Sequence, residues 1–266
     1  MSTRQPRVPH RLDDAVARQP LIDVAADRAL IRFPGVGRLL VDADGIEQRQ
    51  PDPGCHTADL DFLGDTSTAM AALLSGRFSL RASVVSVHGR GIAICGIGPS
   101  GKSTTAAALA LQGHPVVADA LATIDVSGAD PIVSPQPGGL LLWPDTAERL
   151  GLDLREGQPI RRALAVRRFE FETCTEPVPL AAVLVMRDDP GDVYEIERQR
   201  GFDAVDDIKR VRWHGWAIQP LEFETAAFWW TTRVAGVDTV AHLITPRSKA
   251  DTSRVVEMIL ESVGVT

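Results

Sequence analysis

Gly96-Ile97-Gly98-Pro99-Ser100-Gly101-Lys102-Ser103-Thr104 matches the pattern G-x-x-x-x-G-K-[ST], and the reading of this stretch decides the fold. Gly96 and Gly101 let the backbone wrap closely and turn its N–H groups inward. That nest opens a helix, where partial positive charge already favours phosphate. Lys102 carries a compact cation toward β and γ phosphates, and the Ser103 hydroxyl suits magnesium, a hard cation. The flanks fit: Ile92-Ala93-Ile94-Cys95 reads as a strand before the loop. An alanine-rich helix from about Lys102 to Gln112 follows and stops at Gly113.

The same letters also spell G-x-G-x-x-G through Gly96, Gly98 and Gly101, with Asp119 near where a dinucleotide fold places its ribose-binding acid. Lys102-Ser103-Thr104 opens the helix where such a fold needs no cation. A hairpin precedes the loop, and no regular run of alternating strands and helices follows. Phosphate binding is the better reading.

Upstream of the loop, Ser83–Val87 reads as a strand, His88-Gly89-Arg90 as a turn and Ile92–Cys95 as the return strand. Downstream, Pro115–Ala118 reads as a short strand beside the phosphate strand, ending at Asp119. α/β sheets present ligand-binding groups at such strand ends. A carboxylate there holds magnesium or accepts a proton from an attacking hydroxyl. Ala122–Val126 is a further strand, and Gly128–Gly139 a loop. Pro144–Leu150 forms a short helix, Leu180–Met186 an apolar strand, and 187–209 loop plus helix. A closing helix runs over about Asp251–Val263. Toward the N-terminus, residues 1–25 read as a frayed tip followed by weak helix. Arg38–Gln50 reads as a hairpin turning at Asp42-Ala43-Asp44-Gly45. A helix runs to about Ser75, capped by Asp65, Thr66 or Ser67 and ended by Gly76. Interleaved strands and helices make the class α/β.

Composition narrows the function. The 266 residues correspond to about one to two domains. With 44% apolar and 24% charged residues the chain has ordinary globular composition. A net charge of −7 leaves no basic footprint for nucleic acid. No apolar run reaches the roughly 18 residues of a membrane span, and no apolar signal core follows the basic N-terminus. Three widely spaced cysteines (Cys55, Cys95, Cys174) are no disulfide framework, which points to a reducing cytoplasm. Only Lys102, Lys209 and Lys249 of the 28 basic residues are lysines, so the setting of Lys102 stands out.

Other groups carry weaker signals. Arg161, Arg162, Arg167 and Arg168 suit a clamp for phosphates or an acidic peptide, although a solvated face is the commoner outcome. Trp213, Trp216, Trp229 and Trp230 suit a peptide groove or, more often, core. Asp125 is an additional acid or a surface position. Cys55, His56 and Asp59 fall short of a metal site, and His114 fills a turn after the helix.

The stretch Leu80–Asp125 resembles the HPr kinase/phosphorylase C-terminal domain. It resembles more closely the shorter HPr-kinase-like proteins of bacterial peptide-modification clusters. The carrying residues are Ser83-Val84-Val85-Ser86-Val87-His88-Gly89-Arg90-Gly91-Ile92-Ala93-Ile94, the phosphate loop, and Gly113-His114-Pro115-Val116-Val117-Ala118-Asp119. A weaker similarity takes in Phe62-Leu63-Gly64, Leu142-Trp143-Pro144 with Leu150-Gly151, Val178-Pro179-Leu180-Ala181-Ala182-Val183, and Thr245-Pro246-Arg247. The resemblance implies a P-loop nucleotide-binding domain of the HPr kinase / phosphoenolpyruvate carboxykinase type, with a mixed sheet and flanking helices. It implies ATP- and Mg2+-dependent phosphoryl transfer to a serine of a peptide or small protein. Lys102 then matches the phosphate lysine, Ser103 the magnesium hydroxyl, and Asp119 the first aspartate of an Asp-Asp pair, the base for the serine.

Three departures follow. The second aspartate is Ala120 here. A histidine before the hairpin turn is Arg81, a fixed positive charge that makes a nearby carboxylate the weaker base. The later glycine-rich segment has its nearest counterpart in Gly138-Gly139. The expected organisation is an N-terminal hairpin-and-helix segment, 1–75, packed on a P-loop domain, 76–266, with a homo-oligomer left open. The alternatives are a nucleotide-binding module without transfer, and a small-molecule kinase or ATP-dependent ligase on the same loop.

Overall fold

The computed structural model describes residues 8–136, 138–160, 164–246 and 251–264. Among them the chain divides into two compact units. One runs through Phe78 and includes His214–Ala227; the other takes Ser79–Trp213 and resumes at Phe228.

The first unit is built on a five-stranded antiparallel meander: β1 (Ala17–Gln19), β2 (Ile22–Val24), β3 (Arg28–Phe33), β4 (Gly37–Asp42) and β5 (Glu47–Pro51). The expected hairpin is β4–β5, with Val41 opposite Glu47 and Gly37 opposite Pro51. Residues 17–24 form strands, not the expected weak helix. The reason is a buried charge that local propensity does not register. Asp23, 1% exposed, accepts the Leu12 N–H at 3.1 Å and pairs with Arg18 at 3.0 Å and Arg32 at 2.7 Å. These partners converge only when β1, β2 and β3 lie side by side, and an unpaired buried carboxylate is costly.

The first helix also starts earlier than expected. A 3-10 turn, Thr57–Leu63, is capped by His56 and Asp59, each accepting the other's nearby backbone N–H. It runs directly into α1 (Gly64–Leu74), which therefore needs none of Asp65, Thr66 or Ser67 as a cap. Ser67 instead hydrogen-bonds Glu47. α1 packs on β3 and β4. His214, close to the Thr66 carbonyl at 3.3 Å, and Phe223, edge-on to Phe78, tie the returning segment to this unit.

The second unit holds a mixed sheet of nine strands. Its strands are β6 (Ser79–Leu80), β7 (Ala82–Val87), β8 (Arg90–Cys95), β9 (Val116–Ala118), β10 (Ala122–Asp125), β11 (Ile132–Val133), β15 (Val178–Asp189), β16 (Glu195–Arg198) and β17 (Thr239–Pro246). A small separate sheet joins β12 (Leu140–Leu142), β13 (Gln158–Pro159) and β14 (Arg167–Phe169) in the order β12-β14-β13. The helices are α2 (Lys102–Leu111), α3 (Pro144–Arg149), α4 (Gly201–Val211), α5 (Glu224–Ala235), which begins within the first unit's residues, and α6 (Thr252–Ser262). β11 lies inside the stretch expected to be loop, and β16 inside the charged stretch 187–209. β16 is an edge strand on β17, which is remote in sequence, whereas β11 lies inside the sheet between β10, close to it in the chain, and the remote β15.

The core of the large sheet is a parallel trio, β17-β15-β8. Ile92, Ile94, Ala182, Leu184 and Leu243 pack with Ala106, Ala107 and Leu109 of α2 and Val255, Val256 and Ile259 of α6. Alternation sends Arg187 and His242 to the opposite face. There Asp207 of α4 takes the Arg187 guanidinium at 2.7 Å and lies 2.6 Å from His242 Nε2. β7 is antiparallel to β8, and β9 is antiparallel to β7. β9 thus lies one strand away from the phosphate strand, not beside it. The hairpin's first strand occupies the intervening place, and two reversals leave β9 pointing the same way as β8. Among the described residues no helix is long and apolar enough to cross a membrane.

Asp23→Asn should lower the stability of the first unit by about 1.5–3 kcal/mol, the range for a hydrogen bond to a charged group, read as a shifted urea midpoint. Hydrogen bonding from Arg32, opposed by burial, holds the Asp23 carboxyl below its ordinary 3.8. Its stabilisation is therefore complete at neutral pH and is lost only as pH falls below 3.8, so wild type and variant should converge in acid.

Candidate phosphate-binding site

Four strands that point the same way end at one edge of the second unit's sheet. β8 delivers the loop Gly96–Gly101, β9 delivers Asp119, β15 delivers Met186 and Asp188, and β17 delivers Thr245 and Pro246. The carboxyl edge of parallel strands is where α/β sheets bind ligands. A cavity of about 720 Å³ opens there. Its lining includes Gly98–Thr105, Trp143, Arg149, Asp188 and Thr245.

The loop closes by its own chemistry. A Cβ at Gly96 would fall on Ser100 Oγ, so only glycine fits there. Gly101, at φ +89°, is the N-cap of α2, and a Cβ there would come within 3.2 Å of Met186 Cε. The Ser100 N–H reaches Gly98 O at 2.9 Å. Lys102 Nζ donates to Gly98 O at 2.8 Å and to Ser100 Oγ at 3.3 Å, so the ammonium is folded over the loop. Burial pulls the Lys102 pKa below 10.5, while the charge of Asp119 works the other way.

Asp119 gathers the site. Its Oδ1 accepts Ser83 Oγ–H of β7 at 2.5 Å and Ser103 Oγ–H of α2 at 2.9 Å. Its Oδ2 accepts the Leu141 N–H of β12 at 3.0 Å. The chain then turns sharply: the Leu121 N–H returns to Asp119 O at 2.7 Å, and Ala120 takes φ +60°. A left-handed alanine costs on the order of 1–2 kcal/mol, so surrounding contacts must hold it. Trp213 supplies one, donating its indole N–H to Ala120 O at 3.1 Å.

The Arg81 guanidinium lies over the Trp213 ring, 3.8 Å from its centroid. It forms no ion pair with Asp119 among the described residues. Burial lowers the Arg81 pKa, and its charge acts on Lys102, adding a second cation behind the loop. Ser103 Oγ and the Asp119 carboxylate are hard oxygen donors within hydrogen-bond distance of each other. Together with phosphate oxygens they form a donor set suited to Mg2+, which keeps several waters and needs one or two carboxylates. Among the described residues no three His, Cys, Asp or Glu side chains cluster as a metal site by themselves.

Ser103 and Asp119 therefore meet, Lys102 and Gly98–Thr104 line the cavity, Asp119 sits behind Ser103 rather than in the lining, and Ile97 is exposed. Arg161, Arg162 and Arg247 lie outside the described residues. Arg167 instead donates to Gly157 O at 2.8 Å, and Arg168 sits against Gly138; neither lines the cavity. Asp125 accepts its own turn's Ser127 N–H at the surface. His56 and Asp59 are occupied in their helix cap, and His114 sits in the turn after α2, edge-on to His88. The tryptophans have separate settings. Trp230 is buried with its indole on Ile124 O, Trp213 serves Ala120, Trp229 is exposed, and Trp216 belongs to the first unit. Sequence reasoning gave no site role to Trp143, Arg149, Asp188 or Thr245. Asp188, just after the apolar strand that neighbours β8, carried the one available signal, a strand-end carboxylate.

No protein family matches the chain, and neither does any curated protein. Among solved structures it is similar to the Hpr(Ser) kinase/phosphatase from Coxiella burnetii. The identity is 14%, the TM-score 0.36, and the match covers 69% of this chain and 89% of that one. At that level of likeness, function has to be read from the site itself.

Cys95, directly before the loop, is fully buried, and burial pushes its thiol up to about 12. It stays protonated and unreactive at neutral pH. Thiol titration of the native protein should label Cys55 and Cys174, both partly exposed, and reach Cys95 only after unfolding.

Proposed function

We propose that the chain binds ATP with its triphosphate on the Gly96–Thr104 loop and transfers the γ-phosphoryl group to a hydroxyl of a peptide or small protein. The observation that carries this is the contact of Ser103 with Asp119 at the end of the loop that holds Lys102. A hydroxyl at the end of the loop meets a carboxylate delivered by a separate strand, and the loop's lysine, folded over Gly98, feels that carboxylate's charge. Glycine-walled loops that end on such a lysine hold phosphates with backbone N–H groups and one ammonium. Lys102 would exchange its bond to Gly98 O for phosphate oxygens. Mg2+, held by Ser103 and Asp119, would neutralise phosphate charge. In the transfer, the acceptor oxygen bonds the γ-phosphorus, the bond to the β,γ-bridging oxygen breaks, and ADP leaves. The hydroxyl proton passes to the Asp119 carboxylate, and alignment and charge stabilisation supply most of the rate. The peptide acceptor rests on the sequence resemblance at Leu80–Asp125.

A second reading, a nucleotide-binding module without transfer, is favoured by one specific feature. Asp119 already accepts three hydrogen bonds, and Ala120 offers no second carboxylate. To act as base, Asp119 must exchange one serine partner for the acceptor hydroxyl.

Incubation with ATP, Mg2+ and candidate peptides, followed by mass spectrometry, separates these readings. Phosphotransfer predicts one added phosphate and ADP as the other product; AMP would indicate a ligase. Lys102→Ala should weaken ATP binding at least tenfold and abolish transfer. Asp119→Asn should keep ATP binding within about tenfold and lose at least 100-fold in transfer rate, in line with removal of a general base. Transfer that survives in both variants would refute these roles. ATP binding with no turnover on any peptide would establish the second reading.

A further inference from the structure

The loop accounts for only part of the cavity, and Trp143 stands in the remainder. It is 52% exposed, unusual for a residue type that is mostly buried. Among the described residues it is the one aromatic side chain in the lining, and its indole has neither a hydrogen bond nor a ring neighbour. Its backbone, by contrast, is fixed. Trp143 is the N-cap of α3, with Pro144 at the first helical position, and its carbonyl accepts the Thr146 and Ala147 N–H groups at 3.0 and 2.9 Å.

The strand that carries Trp143 is also tied to the loop's end of the cavity. Leu141, two residues earlier, places its amide on Asp119, and Asp119 holds the loop's Ser103. Two extended residues span about 7 Å. An aromatic ring on a fixed backbone therefore stands one short strand segment from the carboxylate that orders the loop.

We propose that Trp143 is the stacking platform for the nucleobase of the nucleotide whose phosphates the loop holds, which rests on the nucleotide reading above. The cavity volume, about 720 Å³, is that of a site for a whole small molecule, not for a phosphate tail alone. A base carried by a loop-bound triphosphate shares that cavity, presents a flat π face to the indole, and has polar edges within the reach of Asp145, Thr146 and Arg149. Stacking of this kind is indifferent to which base is present, so the platform sets affinity for nucleotides over bare polyphosphates.

Calorimetry with Mg2+ present, comparing ATP with inorganic tripolyphosphate, tests the assignment. The unmodified chain should bind both, ATP the more tightly. Trp143→Ala should weaken ATP roughly tenfold, the loss expected for one base–aromatic stack. Tripolyphosphate, which has no base, should change by less than twofold, and Trp143→Phe should retain most of the ATP affinity. ATP affinity unchanged in Trp143→Ala overturns the assignment. So does an equal loss for both ligands, which would make Trp143 a support of the loop. If the unmodified chain binds neither ligand, the phosphate-loop reading fails and takes this inference with it. The exposed ring makes misfolding of the variants a small risk, and circular dichroism checks it.

Discussion

One carboxylate organises the edge of the second unit's sheet where its parallel strands end. Asp119 draws donors from three elements that are not neighbours in sequence: Ser83 on β7, Ser103 on α2 and Leu141 on β12. Hydrogen bonds to an ionised acceptor are worth roughly twice a neutral one. Three on one side chain hold the start of the phosphate helix, the hairpin and the small sheet in a single arrangement. The strained turn at Ala120 is what aims that carboxylate, and Trp213 and Arg81 brace the turn from behind.

The sheet beneath gives that edge its rigidity by two different means. On one face, α2 and α6 bury alanine, valine, leucine and isoleucine against β8, β15 and β17. Small residues on α2 allow close approach, so the helix that carries Lys102 and Ser103 sits tightly on the strand that feeds it. On the other face a buried acid does the work. Asp207 holds Arg187 of β15 and His242 of β17 at once. Such a pairing adds little net stability but makes other registers of the two strands costly, since a slip would strand the charges. The ends of β15 and β17, with Asp188 and Thr245, are thereby kept level with the loop.

Much of this was open to sequence reading where the signal is local. The hairpin before the loop, α2 with its stop at Gly113, the short strand to Asp119, the helix after Trp143 and the last helix were read close to their observed bounds. Each has period, glycine or cap within a dozen residues. The misreadings share one cause. Residues 17–24 became strands because Asp23 needs Arg32 from β3; β16 forms on β17, and β11 is held between β10 and β15, with β17 and β15 some 45 residues away in sequence. β9 moved one place from its expected neighbour because the order of strands in a sheet is a non-local choice.

The chain by itself determined the Gly96–Thr104 loop: a glycine packed against Ser100, two glycines at left-handed positions, one lysine, one hydroxyl and the helix they open, all within nine consecutive residues. It also set the class of the second unit through its alternation of apolar strands and helices. Tertiary structure alone decided what faces that loop. It brought Asp119 onto Ser103, left Arg81 stacked on Trp213 instead of paired with the acid, and stood Trp143 in the same cavity. Those contacts depend on which strand ends are brought level and which side chains the sheet turns to each face. Such choices minimise the free energy of the whole packed unit, and no single stretch of residues encodes them.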